Sequence, residues 1–154
     1  MKVRILAAGT RMPEWVNAGV ADYLRRCQPD FRIQVEEIAL GNRTGGDGRA
    51  VSEEGKRMLT RIRDDDYVVA LEVGGRSMTT EQLAAWFKDR MHEGGDLVLL
   101  IGGPDGLAPE CRRRANLQWS LSALTLPHGL VRVVVAEQLY RASTLLKGHP
   151  YHRA

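Results

Sequence analysis

The stretch LLIGGPDGLAPE, Leu99–Glu110, halts an apolar run with two glycines, a proline and an acid. The run itself, DLVLLI over Asp96–Ile101, has no polar face. Strands of that kind are buried on both sides, which is the mark of a mostly parallel sheet with helical crossovers. Open sheets of this class hold ligands beyond the carboxyl ends of their strands, where the next helix aims free N–H groups at the crevice. Gly102 and Gly103 stand at such a point, and glycine lets a ligand approach the backbone. The loop carries neither the GxGxxG of a dinucleotide site nor the GK[ST] of a P-loop, which disfavours NAD and ATP. A plain tight turn is the competing reading.

Outward from this loop, strands and helices alternate. KVRILAA (Lys2–Ala8) reads as a strand ending at Gly9, and Glu14–Arg26 as a helix with Trp15, Val16, Val20, Tyr23 and Leu24 on one face. FRIQVEEI (Phe31–Ile38) alternates like a strand, and GNRTGGDGRA (Gly41–Ala50) reads as a mobile loop. A helix is expected over Val51–Arg63, then a strand over YVVALEV (Tyr67–Val73). Thr79 or Thr80 is placed to cap a helix, EQLAAWFKDRM, with Leu83, Ala84, Phe87 and Met91 inward. Leu130–Leu146 is read as a helix because Val131, Val135, Leu139, Ala142 and Leu146 share a face. Its other faces are also apolar, which suits either a homodimer contact or burial of both faces within one chain. The expected fold is α/β, a mostly parallel central sheet flanked by helices, in one domain over residues 1–154.

Composition sets the class. A chain of 154 residues with 44% hydrophobic content can bury a real core. No run of about 18 apolar residues is present, and the opening MKVRILAAGTRMPEW has too short an apolar run for a signal peptide. A cytoplasmic protein without a membrane partner is expected. Cys27 and Cys111 have no tight spacing, which argues against a disulfide framework or a zinc cluster. Residues 99–154 carry seven Lys/Arg against three Asp/Glu, so the whole excess of the +3 net charge lies there. A polyanionic partner is one reading of that excess and ordinary surface charge the other. His128, His149 and His152 share the last 27 residues with Tyr140, Arg141, Tyr151 and Arg153. His149 and His152 flank a proline with no cysteine or acid nearby, so no metal is expected.

Several motifs fall in one order along the chain: GTRMPEWV (9–16), YLRR (23–26), GGPDG (102–106), SLSALTLPH (120–128), VAEQLYRA (135–142) and HPYHR (149–153). Together they resemble the RlmH family of bacterial 23S rRNA (pseudouridine-N3) methyltransferases, small members of the SPOUT superfamily, over nearly the whole chain. The resemblance implies a C-terminal trefoil knot, which general topological rules would reject. It implies S-adenosylmethionine as methyl donor, cradled by Leu71, Glu72, Gly102, Gly103 and the run Ser122, Ala123, Leu124, Thr125, Leu126 and Pro127. Apolar side chains of that run suit an adenine wall, with backbone groups bonding the base edge. Core packing of Leu121, Leu124 and Leu126 is the alternative. A homodimer is also implied, with an ordered tail lining the acceptor pocket.

The implied reaction is methyl transfer to N3 of a pseudouridine in a 23S rRNA stem-loop on assembled 70S ribosomes. N3 carries an imide proton that must leave while acceptor, methyl and sulfur are held in line. His152, Arg153, Arg141 and Tyr151 are the catalytic candidates. The proton is left to His152, His128 or water, and Arg141 or Arg153 would stabilise charge on the base. Arg112, Arg113 and Arg114 suit phosphate contacts or a solvated face. Without an appended RNA-binding domain, selectivity would come from the shape of a large target and from the dimer. Two other readings differ in testable ways: a non-catalytic ribosome-binding module would not bind the donor, and a small-molecule enzyme would ignore ribosomes.

Overall fold

The computed structural model describes residues 1–27 and 31–153, with all their side chains but those of His152 and Arg153. Strands β1 (Lys2–Ala8), β2 (Arg32–Ile38), β3 (Tyr67–Ser77), β4 (Leu97–Ile101) and β5 (Leu117–Ser120) pair in the order β2-β1-β4-β3-β5. Every pairing is parallel. Helices α1 (Glu14–Cys27), α2 (Asp47–Leu59), α3 (Thr80–Glu93), α4 (Pro109–Arg114) and α5 (His128–Lys147) flank the sheet. This is the α/β architecture that the apolar strands demand.

The two-residue period of the strands divides the core. Val3, Ile5 and Leu99 pack with Phe87 of α3 and Leu139 of α5 on one face. Leu6, Val98 and Leu100 pack with Met58 of α2 and Cys111 of α4 on the other. All five residues of β4 are buried, so the central strand delivers the glycine loop from a rigid base. Thr79, not Thr80, caps α3: its hydroxyl accepts the Gln82 N–H, and the Gln82 side chain accepts the Thr79 N–H. On α5, Val135, Leu139 and Ala142 are buried toward the sheet, while Ala136 packs with Val16 and Val20 of α1. Two faces of α5 are therefore covered within the chain.

Several expectations need correction. α2 begins at Asp47, inside the stretch read as a loop, and ends at Leu59 rather than Arg63. Its glycines have poor helix propensity, but burial of Ala50, Gly55 and Met58 overrides it. A 3₁₀ turn over Arg43–Gly45, capped by Asn42, precedes it. β3 runs to Ser77, past Val73, through a bulge in which Leu71 and Arg76 both pair with Trp119. β5, only four residues long, has no strand signal in the sequence. Trp15 is 58% exposed because Val16 and Val20 form the packed stripe of α1, and Trp15 lies about 100° away from Val16. Met91 continues the Leu83 and Phe87 stripe into the last turn of α3, where it is exposed.

Candidate active site

The bulge of β3 and the carboxyl ends of β4 and β5 surround a cavity of about 500 Å³. Three segments far apart in sequence wall it: Leu71–Val73, the glycine loop after Ile101, and a stretch from Trp119 to Val131. Nine of the ten residues singled out for a methyl donor line it, namely Leu71, Glu72, Gly102, Gly103, Ser122, Leu124, Thr125, Leu126 and Pro127. Ala123 belongs to the same run but is not part of the lining. Val73, Trp119, His128 and Val131 are among the other residues of the wall. Of these, the sequence offers only His128 as a functional candidate, as a proton acceptor. The others adjoin named positions, but nothing in their identity marks them as ligand-facing.

The glycine loop is both a tight turn and a cavity wall. The Gly106 N–H bonds the Gly103 carbonyl at 3.1 Å, with Gly106 at φ +82°. A Cβ on Gly102 would stand 2.6 Å from the Gly106 carbonyl carbon and 2.8 Å from the Leu107 nitrogen. Only a residue without a side chain permits that approach. The facing run is folded by its serines: Ser120 Oγ donates to the Ser122 carbonyl at 3.0 Å, and Leu124 N–H donates to Ser122 Oγ at 3.0 Å. That turn leaves Leu124 at 72% exposure, so this leucine is not core.

Ionisable side chains meet the cavity at two points. Glu72 is held by Arg112 Nε at 2.7 Å, and Arg112 Nη2 also donates to the Leu107 carbonyl at 3.0 Å. One side chain thus ties the β3 bulge to the glycine loop. His128 opens α5, and burial followed by the nearby Arg132 charge lowers its pKa below the ordinary 6.5. Both effects favour the neutral imidazole over its protonated form. Arg114 donates to the Arg63 and Asp66 carbonyls, leaving Arg113, ion-paired at 3.7 Å with Glu110, as the most exposed of the three arginines after the loop. Among the described residues no group of three or more His, Cys, Asp or Glu could hold a metal ion.

The tail lies elsewhere. Tyr151 donates from its hydroxyl to Glu137 Oε1 at 3.1 Å, and its ring centroid is 4.6 Å from that of Tyr140. Burial and a hydrogen bond with Tyr23 raise the Tyr151 pKa. Arg141 bonds the same Glu137 oxygen at 2.6 and 2.9 Å, which raises the guanidinium pKa. Arg141 and Tyr151 therefore meet each other on the second half of α5. Arg141 stands about 20 Å along the helix axis from His128, so one chain does not bring both to one cavity. The His152 and Arg153 side chains lie outside the described residues.

Comparison with known proteins decides the family. A family model described as "Predicted SPOUT methyltransferase" matches residues 1–152. The chain belongs to the SPOUT methyltransferase family. Relatives of this SPOUT chain include the ribosomal RNA large subunit methyltransferase H of Chromohalobacter salexigens, 54% identical over 99% of this chain and 100% of that protein. The protein of the same name from Methylococcus capsulatus is 48% identical over the same shares. Two solved structures have the SPOUT chain's fold at 10% identity. A Legionella pneumophila protein with the cofactor SAM bound aligns with a TM-score of 0.52 over 92% of this chain and 66% of that one. A methylase-family protein from Haemophilus influenzae aligns with a TM-score of 0.55 over 97% and 69%. The SPOUT chain thus spans about two thirds of each of these two structures. Among the described residues no helix is long and apolar enough to cross a membrane.

Proposed function

We propose that the protein transfers a methyl group from S-adenosylmethionine to N3 of a pseudouridine in an exposed 23S rRNA stem-loop, on assembled 70S ribosomes in the cytoplasm. The observation that carries this reading is the three-segment cavity at the strand ends, whose walls are mostly backbone and apolar side chains. Full-length relatives named for methylation of large-subunit rRNA support the substrate class. The residues fit the donor: Gly102 and Gly103 present backbone, Leu124, Leu126 and Trp119 suit an adenine, and Glu72 offers an anchored acceptor to hydroxyls. Leu71 and the Ser122–Pro127 run, with Ala123 in its backbone, complete the cradle.

S-adenosylmethionine supplies a sulfonium methyl, an already activated group. What remains for the protein is alignment and removal of the N3 proton. His128, at the cavity wall in surroundings that favour its neutral form, can take that proton. The tail residues Tyr151, His152 and Arg153, with Arg141, serve the acceptor side. Because α5 carries them far from the cavity of its own chain, we place them over the cavity of a second copy in a homodimer. We also infer the trefoil knot. The chain leaves β5 at the sheet edge, passes back along the cavity through residues 121–127, and ends in a helix packed on α1.

The deciding experiment offers labelled donor to 70S ribosomes lacking the modification, to free 23S rRNA, and to ribosomes lacking the pseudouridine. Label confined to N3 in the first sample supports the reading. Failure on all three by a folded protein overturns it.

A further inference from the structure

Behind the glycine loop lies a charged cluster that does not line the cavity. Arg43, in the turn between β2 and α2, donates from Nε and Nη2 to Asp105 Oδ2 at 3.2 and 3.0 Å. Its Nη1 donates to Glu54 Oε2 at 2.6 Å and to the Gly41 carbonyl at 3.1 Å. Glu54 Oε2 also accepts the Gly41 N–H at 2.9 Å. One planar guanidinium thus joins the turn, α2 and a loop 62 residues away.

Glu54 is 3% exposed, and among the described residues its Oε1 has no hydrogen-bond partner. That oxygen lies 3.5 Å from where a Cβ on Gly103 would stand, with Leu40 Cδ2 at 3.1 Å from the same point. The carboxylate therefore sits against the rear of the loop whose front faces the cavity. A buried ion pair is a poor source of stability, since an apolar pair of similar volume often does as well. What a fork between two carboxylates does supply is fixed geometry.

We propose that Arg43 is a positioning residue: through Asp105 and Glu54 it holds the glycine loop in the shape that accepts the methyl donor. The clamp rests on the donor-binding reading above. It acts on donor affinity rather than on the transfer step, because none of its three side chains reaches the cavity.

The test measures S-adenosylmethionine affinity by calorimetry, donor KM and kcat on ribosomes, and melting temperature, for Asp105→Asn, Arg43→Ala, Arg43→Lys and the double Arg43→Ala/Asp105→Asn variant. Asp105→Asn and Arg43→Ala should each raise donor Kd and KM about tenfold, with a smaller change in kcat. Arg43→Lys should recover part of the loss, since a point charge reaches one carboxylate and not both. The double variant should be no weaker than Arg43→Ala, because both changes break one link. Asp105 is at the exposed loop tip, so its variant carries the test even if Arg43→Ala fails to fold. Arg25→Ala, at an exposed arginine that pairs with Asp22 on α1, is the control. Donor affinity within twofold of the unsubstituted protein in both Asp105→Asn and Arg43→Ala would overturn the clamp. No donor binding by the unsubstituted protein would sink the donor-site reading itself, and the clamp with it.

Discussion

Arg132 of α5 bonds Glu37 of β2 at 2.6 Å across 95 residues of sequence, and its other terminal nitrogen takes the carbonyls of Ala8 and Gly9 at 3.2 and 2.7 Å. The side chain is 4% exposed. It fastens the start of the last helix to the carboxyl ends of the first two strands, and so sets where His128 meets the cavity. Arg132→Met would leave Glu37 and two carbonyls unpaired and should lower stability by about 3 kcal/mol. Glu37→Gln keeps the carbonyl contacts and should cost about 1 kcal/mol. Urea denaturation of both variants measures the difference.

The same arginine affects titration. A histidine whose pKa is lowered in the folded state binds fewer protons there than in the unfolded chain. Stability is therefore present above the ordinary value of 6.5 and falls as pH drops through 6.5 toward the lower folded value. His128→Gln should flatten stability across that window. In an NMR titration the midpoint of the His128 ring should lie below 6.5, and it should rise in Arg132→Met. An unshifted His128 in the unsubstituted protein would contradict the assignment.

Gly102→Ala should abolish or weaken donor binding by more than about tenfold, because the new methyl meets loop backbone rather than a flexible side chain. Gly74→Ala, with open space around the new methyl, should bind like the unsubstituted protein. Calorimetry with S-adenosylmethionine separates the two.

Neither cysteine should react while the chain is folded. Cys27 and Cys111 are both buried, and burial pushes the Cys111 thiol up to about 11. Reaction with a disulfide reagent at pH 8 should follow global unfolding, with two thiols released per chain in denaturant and none without it.

Four of the five strands and the long helices were legible in the sequence because their apolar periods are strong. LVLLI has no polar face to turn outward, and Leu83, Ala84 and Phe87 can share burial only as a helix. β5 was not, since LQWS is four residues with two apolar side chains, and its strand character comes from pairing with β3. The start of α2 was hidden for a related reason. Asp47 and Gly48 have little helical preference of their own, and the helix is stabilised by what Val51 and Met58 meet.

The sequence by itself determined which segments are apolar enough to become the sheet and its crossovers, and it set Gly102 and Gly103 at the end of a central strand; the other two cavity walls came only from the family resemblance. Those are local properties: pattern, propensity and the need for glycine where backbone meets backbone. Only the tertiary structure decided what converges. It brought Leu71, Gly102 and Ser122 to one cavity, put Arg43 behind Asp105, and folded Tyr151 back onto Glu137 and Tyr140 of α5. Such relations depend on crossover order and on burial against partners distant in sequence, and no local pattern encodes either.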